Sequence, residues 1–350
     1  MHIRLVTWDD DPPVGGQGTY ARDLRSALRS IGTEVSTVAG RGRYAIAYHR
    51  VTGRGHIDMS IALNRAPKVL TTGDPDLVHL SGGPGGLQLL RRLNCPVVFT
   101  AHHTYRQAHG RLHLQRLLAP IECASYRRAH RVAAVSASTA DAVVEMGVDP
   151  ARVVVIPSGI RLPDTDAEDR EPGRILFVGR LEPEKGPLDA VAAMQIVTEA
   201  LPWSRGYVVG QGSLLEAVRR AVASTGTGRV CVLGRLTDEE VARQYRRAQV
   251  VMIPSAYEGL GMVALEAMAA GAAVVGYDVV GLRDTIGPRG LLVDHGDVRA
   301  LADATRRFLT NDDLRNELVQ YAEEAVRLER SWSVCASLYD ELYRETLSRV

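Results

Sequence analysis

Segments with the apolar pattern of strands alternate with segments of helical periodicity along the whole of this 350-residue chain. This alternation is typical of α/β proteins, in which helices cover both faces of a parallel sheet. The predicted strands form two series, 3–8, 34–39, 77–80, 97–100, 131–135 and 152–156, then 174–178, 207–209, 229–233, 250–253, 273–277 and 290–293. The last segments, 298–309, 313–328 and 331–350, have helical periodicity. We therefore predict two doubly wound α/β domains.

The two series are separated by a segment that has no apolar period. Residues 157–173 are rich in proline and charge, which is typical of an interdomain linker. We place the linker itself at 161–172. A chain of this length is long enough for two domains that each have a core.

Composition narrows the class of protein further. A hydrophobic content of 45% and a net charge of +1 favour a soluble globular protein over a nucleic-acid binder. No apolar run approaches the length of a membrane span, and a strand pattern begins at Met1 without a cationic leader, so we expect a cytoplasmic protein. The four cysteines are scattered, which favours buried structural thiols over disulfides or a zinc site.

The junction between a predicted strand and a predicted helix at 254–271 carries two acids and several glycines. Residues 250–253 indicate a buried strand, and 262–270 indicate a helix that stops at Gly271. Glycines in the junction allow the backbone to approach a ligand closely. Glu258 lies in the junction and Glu266 in the helix, with seven residues between them. Because a helix N-terminus attracts anions, this pattern suits a ligand with phosphates and hydroxyls, such as a sugar nucleotide.

Two cations follow the strand at 174–178 directly. Arg180 and Lys185 lie beyond its carboxyl end, where positive charge can neutralise a diphosphate leaving group without a metal ion. A solvated basic loop is the alternative, but Lys185 is one of two lysines among 42 lysines and arginines. Because ammonium is a compact point charge and guanidinium a wide fork, a lysine in such a chain favours a specific role over a solvated loop. Gly234 and Arg235 end another strand of the same series, and their backbone groups could receive a nucleotide base.

The first strand is followed by a glycine-rich loop. Residues 16–21 formally match the dinucleotide fingerprint G-x-G-x-x-A, but the glycines do not follow the strand at once and no acid ends the next strand. A nicotinamide enzyme is therefore disfavoured. The glycines at 16 and 18 still permit approach of a phosphate or sugar to the helix, with a simple tight turn as the alternative.

Three other polar segments of the first half have functional and structural interpretations. His102 follows an apolar strand and could hydrogen-bond a substrate oxygen, or could simply be packed with His103. Asp9, Asp10 and Asp11 indicate a solvated loop, with a metal site or contact to a cationic acceptor as alternatives. The basic, leucine-rich segment 109–131 suits packing on the sheet, with weak peripheral contact to an anionic membrane as the alternative.

Taken together, these motifs resemble those of the retaining glycosyltransferases of family 4, which have the GT-B fold. The resemblance covers nearly the whole chain and is carried by Gly15 and Gly16, 100–102, 134–136, 155–159, Arg180 to Lys185, 254–271 and 290–294. It implies two Rossmann-like domains facing a central cleft: 1–160 on the acceptor side, joined by a C-terminal crossover helix at 331–350, and 173–330 binding the donor nucleotide.

The resemblance also implies a role for each matched residue. Arg180 and Lys185 would hold the donor diphosphate, Glu266 the ribose hydroxyls and Glu258 the sugar hydroxyls. The backbone N–H groups of Leu260, Gly261 and Met262 would contact phosphate or sugar. His102 would lie near the transferred sugar, and Gly16 would let the first loop approach the donor. No metal ion or other cofactor is implied beyond the nucleotide-sugar co-substrate.

The chain departs from the family pattern at several positions. Ser158 and Arg161 replace the usual Asn and Asp at the entry to the linker, and Leu260 replaces a usual Phe. The segment 41–67, on the acceptor side, matches no pattern, so the hydroxyl acceptor stays unidentified. The expected activity is metal-independent retaining transfer from a UDP- or GDP-sugar. The alternatives are a sugar-nucleotide 2-epimerase of related fold and a non-catalytic sugar-nucleotide-binding protein.

Overall fold

The computed structural model describes residues 1–11, 16–49, 52, 54–82, 87–105, 113–161, 170–224 and 227–349, without the side chains of 113–117. Contacts divide the chain into a first unit, Met1–Gly159 with Glu329–Val350, and a second unit, Ile160–Leu328. Gly15, most of the predicted linker and the start of the basic segment at 109–131 lie outside the described residues.

The first unit is built on six parallel strands. They are β1 His2–Thr7, β2 Glu34–Ala39, β3 Leu77–Gly82, β4 Val97–Ala101, β5 Arg131–Ala134 and β6 Val153–Val155. The helices are α1 Gly16–Ser30, α2 Gly55–Arg65, α3 Lys68–Thr71, α4 His113–Arg128 and α5 Ala137–Glu145, with α13 Trp332–Ser348 from the end of the chain.

The strand order of the first sheet is β2-β1-β3-β4-β5-β6, so the chain changes direction across the sheet between β1 and β3. β3 and β4 are buried along their whole length, as is typical of parallel strands that helices cover on both faces. One core cluster packs α1 and α13 against the sheet, and another includes residues of α2, α4 and α5.

The C-terminal helix is attached to the first unit by a chain of buried hydrogen bonds. Tyr20 of α1 bonds the hydroxyl of Tyr339 at 2.5 Å, and Tyr339 bonds Thr100 at 2.8 Å. The ring of His79 continues the chain, with Nε2 at 2.6 Å from Thr100 and Nδ1 at 2.7 Å from the hydroxyl of Tyr343. This is the packing that the resemblance implies for the terminal helix.

The second unit contains a second parallel sheet. Its strands are β7 Arg174–Val178, β8 Arg205–Val209, β9 Val230–Gly234, β10 Val250–Ile253, β11 Ala273–Tyr277 and β12 Leu291–Val293. Its helices are α6 Pro187–Ala200, α7 Leu215–Ala223, α8 Asp238–Arg247, α9 Met262–Ala269, α10 Val280–Thr285, α11 Val298–Thr310 and α12 Asp312–Glu329. The last residue of α12, Glu329, belongs by its contacts to the first unit.

The strand order of this sheet is β12-β11-β10-β7-β8-β9. The chain runs outward from β7 through β8 to β9, then returns to the opposite side of β7 and continues through β10, β11 and β12. The point where the order reverses therefore lies between β7 and β10, which pair in parallel through Val250 with Ile175 and Val251 with Leu176. In open α/β sheets this is where a crevice forms beyond the carboxyl ends of the strands.

The two doubly wound domains predicted from the sequence are confirmed, but two local expectations are wrong. Asp9 and Asp10 do not form a solvated loop: they are 6% and 0% exposed, because Asp10 pairs with Arg25 of α1 and Asp9 lies 3.5 Å from Arg41. The cysteines are free thiols, but Cys231 is exposed, since alternate residues of β9 face solvent.

Candidate functional site

Two loops meet where the strand order of the second sheet reverses. The loop after β7 contains a 3₁₀ turn, Pro183–Lys185, and the loop after β10 runs from Pro254 to Gly261. The backbone N–H of Ala256 donates to the carbonyl of Glu184 at 2.9 Å. Gly186 has φ +63°, and a Cβ there would lie 2.0 Å from the carbonyl oxygen of Pro254. Only glycine fits this position, so Gly186 permits the close contact of the two loops.

The side chains of Lys185 and Glu258 form the ion pair that joins these loops. Lys185 Nζ lies 2.6 Å from Glu258 Oε1, and the hydroxyl of Ser255 donates to the same oxygen at 2.8 Å. Both charged side chains are largely buried, so their interaction is weakly screened by solvent. One carboxylate oxygen is thus fixed by two donors. The structure brings together the predicted residues Lys185 and Glu258, which are 73 positions apart.

The loop that carries Glu258 rests on α10, an element to which sequence reasoning gave no role. A Cβ at Gly281 would lie 2.2 Å from the carbonyl oxygen of Glu258, so glycine allows α10 to pack on the loop. The hydroxyl of Thr285 donates to the carbonyl of Leu260. α10 therefore holds the backbone on both sides of Gly259.

The N-terminus of α9 follows this loop. Gly261 adopts a left-handed conformation, with φ +75°, as the N-cap. In the part of the chain that the structure describes, the N–H groups of Leu260, Gly261 and Met262 donate to no protein acceptor. Unpaired N–H groups at a helix N-terminus favour an anion. The three predicted backbone donors thus lie at one helix end, three residues beyond Glu258.

Glu266 lies one turn further along α9, and α8 holds it in place. The hydroxyl of Tyr245 donates to Glu266 Oε2 at 3.0 Å. Burial raises the pKa of Glu266 to about 7, Asp238 at the start of α8 raises it too, and the hydrogen bond from Tyr245 opposes the rise. The carboxyl group is therefore poised between its charged and neutral forms near neutral pH.

Arg180 and the end of β9 are more exposed parts of the same sheet edge. The Arg180 side chain is 65% exposed and pairs with Glu184 at 2.6 Å. Arg235 is exposed beyond β9, two strands away from β7, and Gly234 has φ +74° with no described atom within 4 Å of a Cβ. The backbone N–H of Gly210, after β8, donates to the carbonyl of Gly234 at 2.8 Å, so a hydrogen bond joins the loop after β8 to the end of β9.

The predicted residues of the first unit lie at the carboxyl edge of its own sheet. His102 Nε2 is 2.8 Å from the hydroxyl of Ser81, and the ring of Tyr20 contacts the imidazole edge-on, with centroids 4.6 Å apart. Burial lowers the pKa of His102 to about 3, with His103 and His79 adding to the effect, so the imidazole is neutral and acts as a hydrogen-bonding group. Gly16 begins α1 with no described atom within 4 Å of a Cβ, whereas Gly18 is required by contact with Asp9.

Sequence reasoning missed Ser255, Tyr245 and Gly281. Each acts on a predicted residue through tertiary contact. Gly281 carries the clearest local signal of the three, because a glycine within a helix is unfavourable unless another backbone approaches it.

The fold and this site define a class of protein. Two doubly wound domains are present, and the second has a paired cation and carboxylate, an unpaired helix N-terminus and a second, half-buried carboxylate at its switch point. This arrangement can accept a ligand with anionic phosphate and several hydroxyls, as a nucleotide-binding α/β protein does.

Comparisons with known proteins identify the family. The model for glycosyltransferase family 4 matches residues 14–163, and the model for glycosyl transferases group 1 matches residues 162–325. A 2-deoxystreptamine N-acetyl-D-glucosaminyltransferase of Streptomyces fradiae is 32% identical over 75% of this chain and 70% of its own length. A glycogen synthase of Mycobacterium tuberculosis is 28% identical over 98% of this chain and 94% of its own. The chain belongs to glycosyltransferase family 4 and is a glycosyltransferase.

Solved structures agree on the fold. A sucrose-phosphate synthase of Thermosynechococcus elongatus is 25% identical and superposes over 100% of both chains with a TM-score of 0.81. HepE of Anabaena, solved in complex with UDP and glucose, is 18% identical and superposes over 100% of both chains with a TM-score of 0.75. These likenesses confirm the GT-B fold that the sequence motifs imply.

None of the helices that the described residues form is long and apolar enough to cross a membrane. Among the same residues, no group of three or more His, Cys, Asp or Glu side chains is arranged to hold a metal ion.

Proposed function

We propose that this glycosyltransferase transfers a sugar, with retention of anomeric configuration, from a nucleotide-diphosphate sugar to a hydroxyl acceptor. The observation that carries the proposal is the Lys185–Glu258 pair beside the N-terminus of α9 at the switch point of the second unit. Lys185, with Arg180, would bind the diphosphate. Glu258, held on one oxygen, would accept hydrogen bonds from sugar hydroxyls, and Glu266 from the ribose.

The reaction requires the protein to stabilise developing charge and to position the donor and acceptor. The bond from the anomeric carbon to the leaving phosphate oxygen breaks, and negative charge grows on that phosphate. Lys185, Arg180 and the N–H groups at the start of α9 would stabilise this charge. The acceptor hydroxyl forms the new bond on the same face of the sugar and gives its proton to the leaving phosphate. Because Glu258 and Glu266 are both held by protein donors, we assign them to binding rather than to nucleophilic attack.

Four finer assignments belong to the proposal. The donor is a UDP- or GDP-sugar. The UDP and glucose bound in the HepE structure support a UDP-sugar. The acceptor is a small molecule, a saccharide or a lipid-linked hydroxyl. The transfer needs no metal ion, because side-chain cations and a helix N-terminus can supply the positive charge. His102 would contribute as a neutral hydrogen-bonding group.

A donor screen tests the proposal. Wild-type protein is heated with UDP-, GDP-, ADP- and TDP-sugars after treatment with a chelator, and the melting temperature is followed. A ligand that binds the folded state at about 100 times its Kd adds about 2.7 kcal/mol of stability, a readily measured shift. We expect a UDP- or GDP-sugar to raise the melting temperature. If no sugar nucleotide does so, the proposal fails.

The alternatives give different products. A 2-epimerase would convert the donor to its C2 epimer without an acceptor, and a non-catalytic binding protein would leave a bound donor unchanged. We expect neither outcome, but slow hydrolysis of the donor when water takes the place of the acceptor.

A further inference from the structure

Tyr245 is a buried tyrosine whose hydroxyl reaches the candidate site from a neighbouring helix. It lies in α8, is 3% exposed, and donates to Glu266 Oε2 at 3.0 Å. A buried tyrosine hydroxyl requires a partner, and a carboxylate is a strong one. α8 begins with a complete capping box between Thr237 and Glu240, which stabilises the start of the helix that carries Tyr245.

The groups around Glu266 otherwise oppose its negative charge. Burial disfavours the carboxylate, and so does the negative charge of Asp238. The Tyr245 hydroxyl stays protonated and able to donate, because burial, Glu266 and Glu258 raise the pKa of that phenol. Among the described residues that act on Glu266, Tyr245 favours the charged form through its hydrogen bond. Without it, the carboxyl group would be neutral over a wider pH range.

We propose that Tyr245 is a positioning residue of the transferase: it fixes the orientation of the Glu266 carboxyl group and favours its ionised form, so that this group accepts hydrogen bonds from the ribose hydroxyls of the donor nucleotide. The inference rests on the proposed role of Glu266. The carboxylate retains three of its four lone-pair sites after accepting from Tyr245, so it can receive both hydroxyls of a ribose. A 2′-deoxyribose would leave one of these sites unused in a buried environment, which is costly. Discrimination between ribose and deoxyribose therefore reports on the state of the carboxylate.

The test compares Tyr245→Phe with wild type in binding UDP, 2′-deoxy-UDP, GDP and 2′-deoxy-GDP between pH 6 and 8.5, by calorimetry. We expect wild type to prefer the better-bound ribonucleotide over its deoxy form by about tenfold, the value of one hydrogen bond to a charged group. This preference should decline as pH falls through the pKa of Glu266, because protonation removes an acceptor. In Tyr245→Phe the preference should be several-fold smaller, and its decline should begin at higher pH.

Tyr126→Phe is the matched control. The hydroxyl of the buried Tyr126 donates to the buried carboxyl of Glu122 in the first unit at 3.2 Å, and burial raises the pKa of Glu122 to about 7. The chemistry removed is the same, but the site is in the other sheet. We expect Tyr126→Phe to keep the wild-type ribose preference and its pH profile, so that a general effect of losing such a bond is separated from positioning.

A second variant distinguishes failure of the inference from failure of the proposed function. If Glu266→Gln loses the ribose preference while Tyr245→Phe keeps both the preference and its pH profile, Tyr245 has a structural role only and the inference is overturned. If wild type shows no ribose preference, or Glu266→Gln retains it, Glu266 does not bind ribose and both proposals are overturned. In steady-state transfer, the inference predicts that Tyr245→Phe raises the donor KM more than it lowers kcat.

Discussion

Several ionisable side chains are held away from their usual protonation equilibria because the fold buries them. Burial lowers the pKa of His79 and His102 to about 3 and raises the pKa of Glu122 and Glu266 to about 7. The two directions have one cause, which is that a charged group loses hydration inside the protein. They have opposite consequences for stability, because unfolding leads the histidines to take up protons and the carboxyl groups to release them at mildly acidic pH.

His79 should make the first unit less stable in acid. Its folded pKa lies below the unfolded value of 6.5, so its contribution is fully present above pH 6.5 and is lost as pH falls towards 3. At pH 5 the loss is about 2 kcal/mol, at 1.36 kcal/mol for each pH unit. We expect His79→Gln to have a shallower dependence of stability on pH between 5 and 6.5, measured by hydrogen exchange of β3 and α13 amides.

His49→Gln is the control for this prediction, because His49 is an exposed histidine of the same unit. Glu122 contributes with the opposite sign, since its raised pKa adds stability in acid, but it is present in every variant and cancels in the comparison. If stability has the same pH dependence in wild type and His79→Gln, His79 is not held buried and neutral in the folded protein.

At the scale of elements, the site depends on the contact between the loops after β7 and β10. The contact needs glycine for two separate reasons at position 186, a left-handed backbone and the nearness of the Pro254 carbonyl. Gly228 separates the two reasons, because it has φ +62° but no described atom within 4 Å of a Cβ.

Gly186→Ala should therefore be more harmful than Gly228→Ala. Both substitutions place alanine in the left-handed region, at a cost of about 1–2 kcal/mol each. Only Gly186→Ala also forces the two loops apart, so it should lower stability further and weaken donor binding at least tenfold, as the Lys185–Glu258 pair separates. Thermal unfolding and donor titration of the two variants measure this. Equal effects on donor binding would mean that the loop contact does not matter for the site.

The elements themselves could be predicted from local sequence, while the contacts that complete the site could not. Strands β2, β7, β10 and β11 have the predicted bounds, and in β7, β10 and β11 the apolar residues form a nearly continuous run, as is typical of buried parallel strands. The bond from Tyr245 to Glu266 joins residues 21 positions apart in different helices, and no local pattern specifies it. The burial of Asp10 was missed for the same reason, since its partner Arg25 lies one element further along the chain. Family resemblance supplied the roles of Lys185, Glu258 and Glu266, which remain predictions.

At the scale of the whole molecule, the central claim is that the switch point of the second unit is where the sugar nucleotide reacts. Substitution of Lys185 tests this claim, and Lys68 is the control, because it is the other lysine of the chain and is exposed on α3 of the first unit. Loss of one preorganised charge-stabilising group typically costs about 10²–10³-fold in rate. Lys185→Ala should show a loss of that size, and Lys68→Ala should not.

The most direct measurement is hydrolysis of the sugar nucleotide that the donor screen identifies, without an acceptor, followed by proton NMR before the released sugar mutarotates. The account predicts that wild type and Lys68→Ala release a sugar with the anomeric configuration of the donor and an unchanged C2, and that Lys185→Ala is at least about a hundredfold slower. A wild-type rate in Lys185→Ala, an inverted anomeric centre or an epimerised C2 would contradict it.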